Sequence, residues 1–142
     1  MSAEKDIRKT IARFANSFDL KDWALMESVL AEVLTVDYSD LRGGLPQEIT
    51  AREYAQARRE ALEALDTQHI IGNLEITVDG KRASVGAASM IFRTLDGVVF
   101  NTHARYQFGP SEDQDRGWVI DRIKQTVLWN EGDPDIHSGV KK

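Results

Sequence analysis

The stretch Thr67-Gln68-His69-Ile70-Ile71-Gly72-Asn73-Leu74-Glu75-Ile76-Thr77-Val78-Asp79-Gly80 decides the fold, because the hydrophobic period changes within it. Before it, apolar residues recur every three or four positions; from His69 onward they alternate, with Leu74, Ile76 and Val78 set against Glu75 and Thr77. Asp79-Gly80 is a strong hairpin signal. A second strand is expected from about Arg82 to Arg93, turning at Asp96-Gly97, and a third from about Val98 to Phe108. That third strand sets Phe100, Thr102, Ala104, Tyr106 and Phe108 on one face, and Asn101, His103, Arg105 and Gln107 on the other. A polar loop, Pro110 to Gly117, leads to a last strand from Trp118 to about Trp129.

Upstream the pattern is helical. Ile7, Ile11, Phe14 and Phe18 mark one face of a helix that Ser2 can cap and that should stop at Asp19. Asp22 can cap a second helix bearing Trp23, Leu25, Met26, Val29 and Leu30. A β-rich run, Val33 to Tyr38, precedes a turn through Gly43, Gly44 and Pro46. Thr50 and Glu53 form a capping-box signature for a third helix to about Leu65, with Tyr54, Ala57, Ala61 and Leu65 on one side. Three helices followed by an antiparallel meander predict an α+β fold, the helices packed on one face of a curved sheet.

Composition narrows the function. With 142 residues, 42% of them hydrophobic, the chain reads as one domain over residues 1–142, with residues 1–4 and 133–142 expected to be mobile ends. A domain of this size buries roughly 70% of its unfolded surface, enough for a core and a small pocket. Net charge −5 and pI 5.2 argue against nucleic acid as partner. Arg58 and Arg59, one of the few adjacent basic pairs, read as solvated surface. The absence of cysteine removes disulfides and thiolate chemistry and suits a cytoplasmic protein. The mixed-charge start MSAEKDIRK and the lack of about 20 consecutive apolar residues predict neither a secretory signal nor a membrane span. Three histidines without close His-x-His or His-Glu spacing predict no metal, and no dinucleotide or phosphate-loop fingerprint is present, so no cofactor is expected.

What remains is acid–base chemistry. Asp19 and His69 lie in segments that could meet inside an apolar cone, giving a carboxylate-oriented general base. Each has a plainer reading, Asp19 as a helix cap and His69 as a core or edge group. Tyr38 shares a strand face with Leu34 and Val36, placing its hydroxyl inward as a possible hydrogen-bond donor to a carbonyl. His103 and Arg105 would supply cationic donors if their face pointed into the cone, and would be solvated otherwise. Trp23, Phe18, Met90, Phe92, Val127 and Trp129 are candidate pocket lining, with Ile123 an apolar neighbour.

Four strings in order, FANSFDLKDW (14–23), VDY (36–38), TQHIIG (67–72) and GWVI through LWNEGD (117–133), resemble the scytalone dehydratases and the wider SnoaL-like group of the nuclear transport factor 2 superfamily. The resemblance spans roughly residues 5–133 and implies a cone of curved sheet closed by three helices, with a pocket at its wide end. It implies an Asp-His acid–base pair at Asp19 and His69, and a water-holding tyrosine at Tyr38. The chain departs from that family at several points. Phe18 replaces a second tyrosine, Thr94 stands near the place of a second histidine, Arg105 matches an asparagine and His103 a serine. Only a short stretch follows Trp129 where the family has a long lid. Thr126-Val127-Leu128 stands where related bile-acid dehydratases carry an arginine.

The expected activity is that of a cofactor-independent lyase or isomerase on a small cyclic carbonyl or hydroxy-carbonyl substrate. Alternatives on the same pocket are polyketide cyclisation, double-bond migration, or epoxide hydrolysis, the last calling for a second carboxylate beside Asp19. A non-catalytic ligand-binding or association module is the third reading; a pocket too small or dry for a ligand would favour it, with Phe100, Tyr106 and Phe108 as its oligomer face. The resemblance also implies self-association as a dimer or trimer.

Overall fold

The computed structural model describes residues 2–137. Helix α1 (Ala3–Asp19) starts where Ser2 accepts a hydrogen bond from the Lys5 amide. Lys21, at φ 53°, reverses the chain into α2 (Trp23–Val29), capped by Asp22. Strand β1 (Leu30–Asp37) follows, then the four-residue helix α3 (Ser39–Arg42), strand β2 (Gln47–Thr50) and helix α4 (Ala51–Leu62), which begins with the expected capping box. The long strands β3 (Asp66–Asp79), β4 (Arg82–Leu95), β5 (Val98–Asp113) and β6 (Gly117–Gly132) complete the sheet, and a 3₁₀ turn closes the described chain at Pro134–Ile136. No helix is long and apolar enough to cross a membrane.

The six strands run in the order β2-β1-β6-β5-β4-β3, antiparallel except for the parallel pair β1–β6. The α+β expectation holds, with refinements. The glycine-rich segment after Tyr38 carries α3 and β2 rather than only a turn, and α4 ends at Leu62, though Leu65 is still buried. Strands β5 and β6 extend through the expected polar loop to a turn at residues 114–116, because pairing runs as far as Asp113–Gly117. Asp96 and Gly97 both adopt positive φ, 51° and 80°, the tight hairpin conformation their sequence favours.

The helical stripe Ile7, Ile11, Phe14 and Phe18 is buried against the inner face of the sheet. Phe14 meets Phe18 edge-on at 5.1 Å and Phe108 at 5.8 Å, and Tyr106 stacks on Phe108 at 5.0 Å. Burying each such ring stabilises the fold by roughly 1.5–3 kcal/mol. The Thr10 hydroxyl donates to the Trp118 carbonyl at 3.0 Å and ties α1 to β6. Phe100, Tyr106 and Phe108 are therefore core residues, not an association surface, because their strand face turns toward the helices.

The ends are more structured than expected. Ser2 is a helix cap, and residues 133–137 fold back over the sheet. At Gly132, φ is 92° and a side chain would collide with the Val99 carbonyl, so only glycine lets the Asp133 amide donate to that oxygen at 2.8 Å. Asp133 then caps the 3₁₀ turn, and His137 is buried. Residues 138–142 of the expected mobile tail, and residue 1, lie outside the described residues.

Candidate active site

Asp19 is the last residue of α1, and α1 packs along β3, where His69 sits on the inward face. The carboxylate accepts three hydrogen bonds from one strand segment. The His69 backbone amide donates to Oδ2 at 2.8 Å, the Thr67 hydroxyl donates to Oδ1 at 3.0 Å, and His69 Nδ1 lies 2.8 Å from Oδ1. A carboxylate accepts, so Nδ1 carries the proton and Nε2 is left as the basic nitrogen. Phe18 stacks on the imidazole at 4.2 Å and 20°, holding the ring in plane. The His69 side chain is 5% exposed. Burial lowers its pKa below the ordinary 6.5; the hydrogen bond and charge of Asp19 oppose that shift, and Arg93 adds to it. The imidazole is thus neutral at pH 7 and able to take a proton.

His69 opens onto a small chamber between the sheet, α3 and α4, with about 20 Å³ of room, space for a single water, and Asp19 stands behind it. Its walls mix apolar side chains, Phe18, Leu41, Leu62 and Ile91, with polar and cationic ones. Tyr38 lies just past β1 with its hydroxyl inward, 2.7 Å from that of Tyr54 on α4. Gln125 Nε2 donates to the Tyr106 hydroxyl at 3.1 Å. Burial first, then the Tyr54 charge and hydrogen bond, raise the pKa of Tyr38 well above 10, so its hydroxyl stays protonated and can donate. Arg42 from α3, Arg58 from α4 and Arg93 from β4 also line the chamber, as does His137. Arg93 Nη1 donates to the Thr102 hydroxyl at 2.8 Å; Arg42 lies over the Tyr38 ring at 4.8 Å, and Arg58 over the Tyr54 ring at 5.7 Å. A wider groove of about 490 Å³ on the molecule, lined by Thr35, Gly86, Gln107 and Lys124 among others, touches neither Asp19 nor His69. Among the described residues no three His, Asp or Glu side chains gather as a metal-ligand set.

The structure brings Asp19, His69, Tyr38 and Phe18 to one site and leaves the other candidates outside it. His103 stacks on Trp129 at 4.2 Å and bonds Glu131 at 2.6 Å on the outer face of the sheet, and Arg105 is exposed there. Met90 and Phe92 alternate with inward Ser89, Ile91 and Arg93, so they point out, 40% and 36% exposed. Trp129 shares the alternation phase of Gln125 and Val127, yet it too faces out. His103 is paired with Trp129 and Ala104 with Val127, so Leu128 is an extra residue that reverses the faces beyond it. Trp23 packs against the core, and Val127 joins Leu41, Phe100 and Ile136 in a small cluster beside the chamber.

Sequence reasoning missed Tyr54, Gln125, His137 and the three arginines. Arg58 is 6% exposed, not solvated as its pairing with Arg59 suggested, because it lies four residues after Tyr54 and four before Leu62 on the buried face of α4. Arg93 was legible from its phase with Ala87, Ser89 and Ile91.

A family model for the SnoaL-like domain matches residues 1–124. The chain is 27% identical over 141 residues to scytalone dehydratase arp1 of Aspergillus fumigatus, covering 88% of this chain and 82% of that protein. Among solved structures it is similar to the Kfla4162 protein of Kribbella flavida, with a TM-score of 0.86 and 27% identity over 92% of this chain and 95% of the other. It is also similar in fold to an NTF2-like protein with a cystatin-like fold from Novosphingobium aromaticivorans, with a TM-score of 0.72 and 20% identity over 89% and 82% of the two chains.

Proposed function

Because the chain belongs to the SnoaL-like domain family, we propose that it is a cofactor-independent lyase or isomerase of the dehydratase kind, acting on a small cyclic carbonyl or hydroxy-carbonyl compound. The single observation that carries this reading is the Asp19–His69 contact at 2.8 Å, with the imidazole buried at the wall of the chamber. In the proposed reaction His69 Nε2 removes the proton α to the substrate carbonyl, and Asp19 stabilises the imidazolium that forms. Tyr38, whose hydroxyl rests against that of Tyr54, turns its proton to the enolate oxygen. In a dehydration, imidazolium then returns its proton to the β-hydroxyl as the C–O bond breaks, releasing water and leaving the conjugated double bond. Among the described residues no carboxylate lines the chamber to join Asp19, which supports elimination or isomerisation over epoxide hydrolysis.

The test is a panel of cyclic β-hydroxy ketones, followed for enone formation and for deuterium uptake from solvent at the α-carbon. His69→Ala should abolish both while the circular dichroism spectrum is retained; full turnover in that variant would reject the mechanism. The small volume favours a second reading, a non-catalytic binding module, which absence of exchange across the panel would support. Self-association finds an apolar surface on the outer sheet face, where Ile70, Met90, His103 and Trp129 form one row across four strands. Sedimentation of the protein and of Met90→Asp would test it.

A further inference from the structure

Three cations surround the chamber and no anion answers them. Arg58 and Arg93 are 6% and 4% exposed, and Arg42 is half-buried. Among the described residues none of the three comes within ion-pair distance of a carboxylate, and the Nε of each is buried without a hydrogen-bond partner. Gln125 Oε1 is likewise unpartnered. Asp19, the carboxylate beside His69, is already held by Thr67 and His69, and the Asp40 carboxylate on α3 accepts from the Val127 amide. Buried guanidinium groups are ordinarily paired, because removing such a charge from water is costly without a counter-charge. Here the guanidinium groups of Arg42 and Arg58 rest on tyrosine rings and make no hydrogen bonds, a weak substitute for a carboxylate.

We infer that Arg42, Arg58 and Arg93 form a seat for the anionic group of a small organic acid, so that the substrate is a carboxylate-bearing carbonyl compound. This rests on the proposed acid–base reading for what happens next to the anion, but the seat itself is a binding claim. Arginine suits the role because its planar fork can grip both oxygens of a carboxylate. Burial draws Arg93 down only to about 10, with Tyr106 opposing and Arg42 adding to the shift, so it remains a cation at neutral pH. The chamber has room for one water as it stands, so an entering acid must displace side chains from its walls. Arg42 is the one placed to move: it is half-buried and sits on a four-residue helix that leads into Gly43-Gly44, both at positive φ. Lifted from the Tyr38 ring, its guanidinium would follow the carboxylate in and frees the tyrosine hydroxyl's surroundings for the carbonyl.

Calorimetric titration of the full chain with benzoate, against benzamide as a neutral analogue of the same shape, tests the seat. Saturable binding of benzoate and at least tenfold weaker binding of benzamide are expected. Arg58→Met and Arg42→Met should each weaken benzoate by roughly 10- to 100-fold. Neither should lower the thermal midpoint of the free protein, since no hydrogen bond is lost. Equal affinity for benzoate and benzamide, unchanged benzoate affinity in both variants, or a fall in midpoint marking the arginines as structural would overturn the inference. The readout is binding, so it stands apart from turnover in His69→Ala: either result can fail while the other holds.

Discussion

Beside the chamber, the two faces of the central sheet invert the usual distribution of polarity. On β4 the inward face carries Ser89 and Arg93 near the chamber, while the outward face carries Met90 and Phe92. Inside, Arg93, His69 and Gln125 are withdrawn from water; outside, Ile70, Leu128 and Trp129 are 42%, 56% and 53% exposed. The inward face is itself divided. Toward α1 it is packed with Phe108, Ile120 and Ile123, and toward α3 and α4 it becomes a chamber of tyrosines and cations. Polar side chains are buried where they face the site, and apolar ones are left out where strand alternation allows no other place. Burial follows geometry first and hydrophobicity second.

That contrast can be broken in order of expected effect. Removing the base by His69→Ala should lower kcat/KM by about 10²–10⁴-fold on a confirmed substrate, with the fold unchanged by circular dichroism. In the apolar half, Phe14→Ala should cost about 3–5 kcal/mol in urea unfolding, because three aromatic neighbours cannot collapse into the gap. The pH dependence should come next. His69 has a folded pKa below its unfolded value near 6.5, so between the two values the unfolded chain binds more protons. Stability should therefore fall as pH drops below about 6.5, and kcat/KM should lose activity over the same acid limb; a His69→Gln variant whose unfolding midpoint keeps the full acid dependence would contradict this. On the outer face, Arg105→Ser should change stability by no more than about 0.5 kcal/mol and leave turnover unaltered.

Much of the framework was legible because its signals are local. The four-three-four spacing through Phe18, the Thr50–Glu53 capping box and the Asp96-Gly97 turn each specify their own geometry without help from distant chain. Asp19 and His69 stand out as an acid–base pair by residue type, but nothing local says that a helix end will meet a strand fifty residues on, and family resemblance supplies that link. The chamber wall was read less well. Met90 and Phe92 were chosen for being apolar, although alternation places them opposite Ile91 and Arg93. Arg58 was set aside for its charge, although its spacing from Tyr54 puts both on one helical face. His103 and Arg105 belong to a face whose direction the alternation alone leaves open; only the packing of Phe108 against Phe14 of α1 and of Phe100 against Leu41 of α3 fixes it. The 3₁₀ turn that brings in His137 depends on close approach between Gly132 and Val99, a tertiary condition.

The extra residue at Leu128 carries a consequence for how such a scaffold can diverge. Inward or outward is a matter of odd or even count along β6, and the count is reset at that one place. A one-residue slip that set Leu128 itself opposite His103 would exchange parity: Trp129 would swing indoors and Glu131 with it, setting a carboxylate where cations now dominate. New linings can thus arise by shifting the tally of a strand, without substituting any of the side chains it bears.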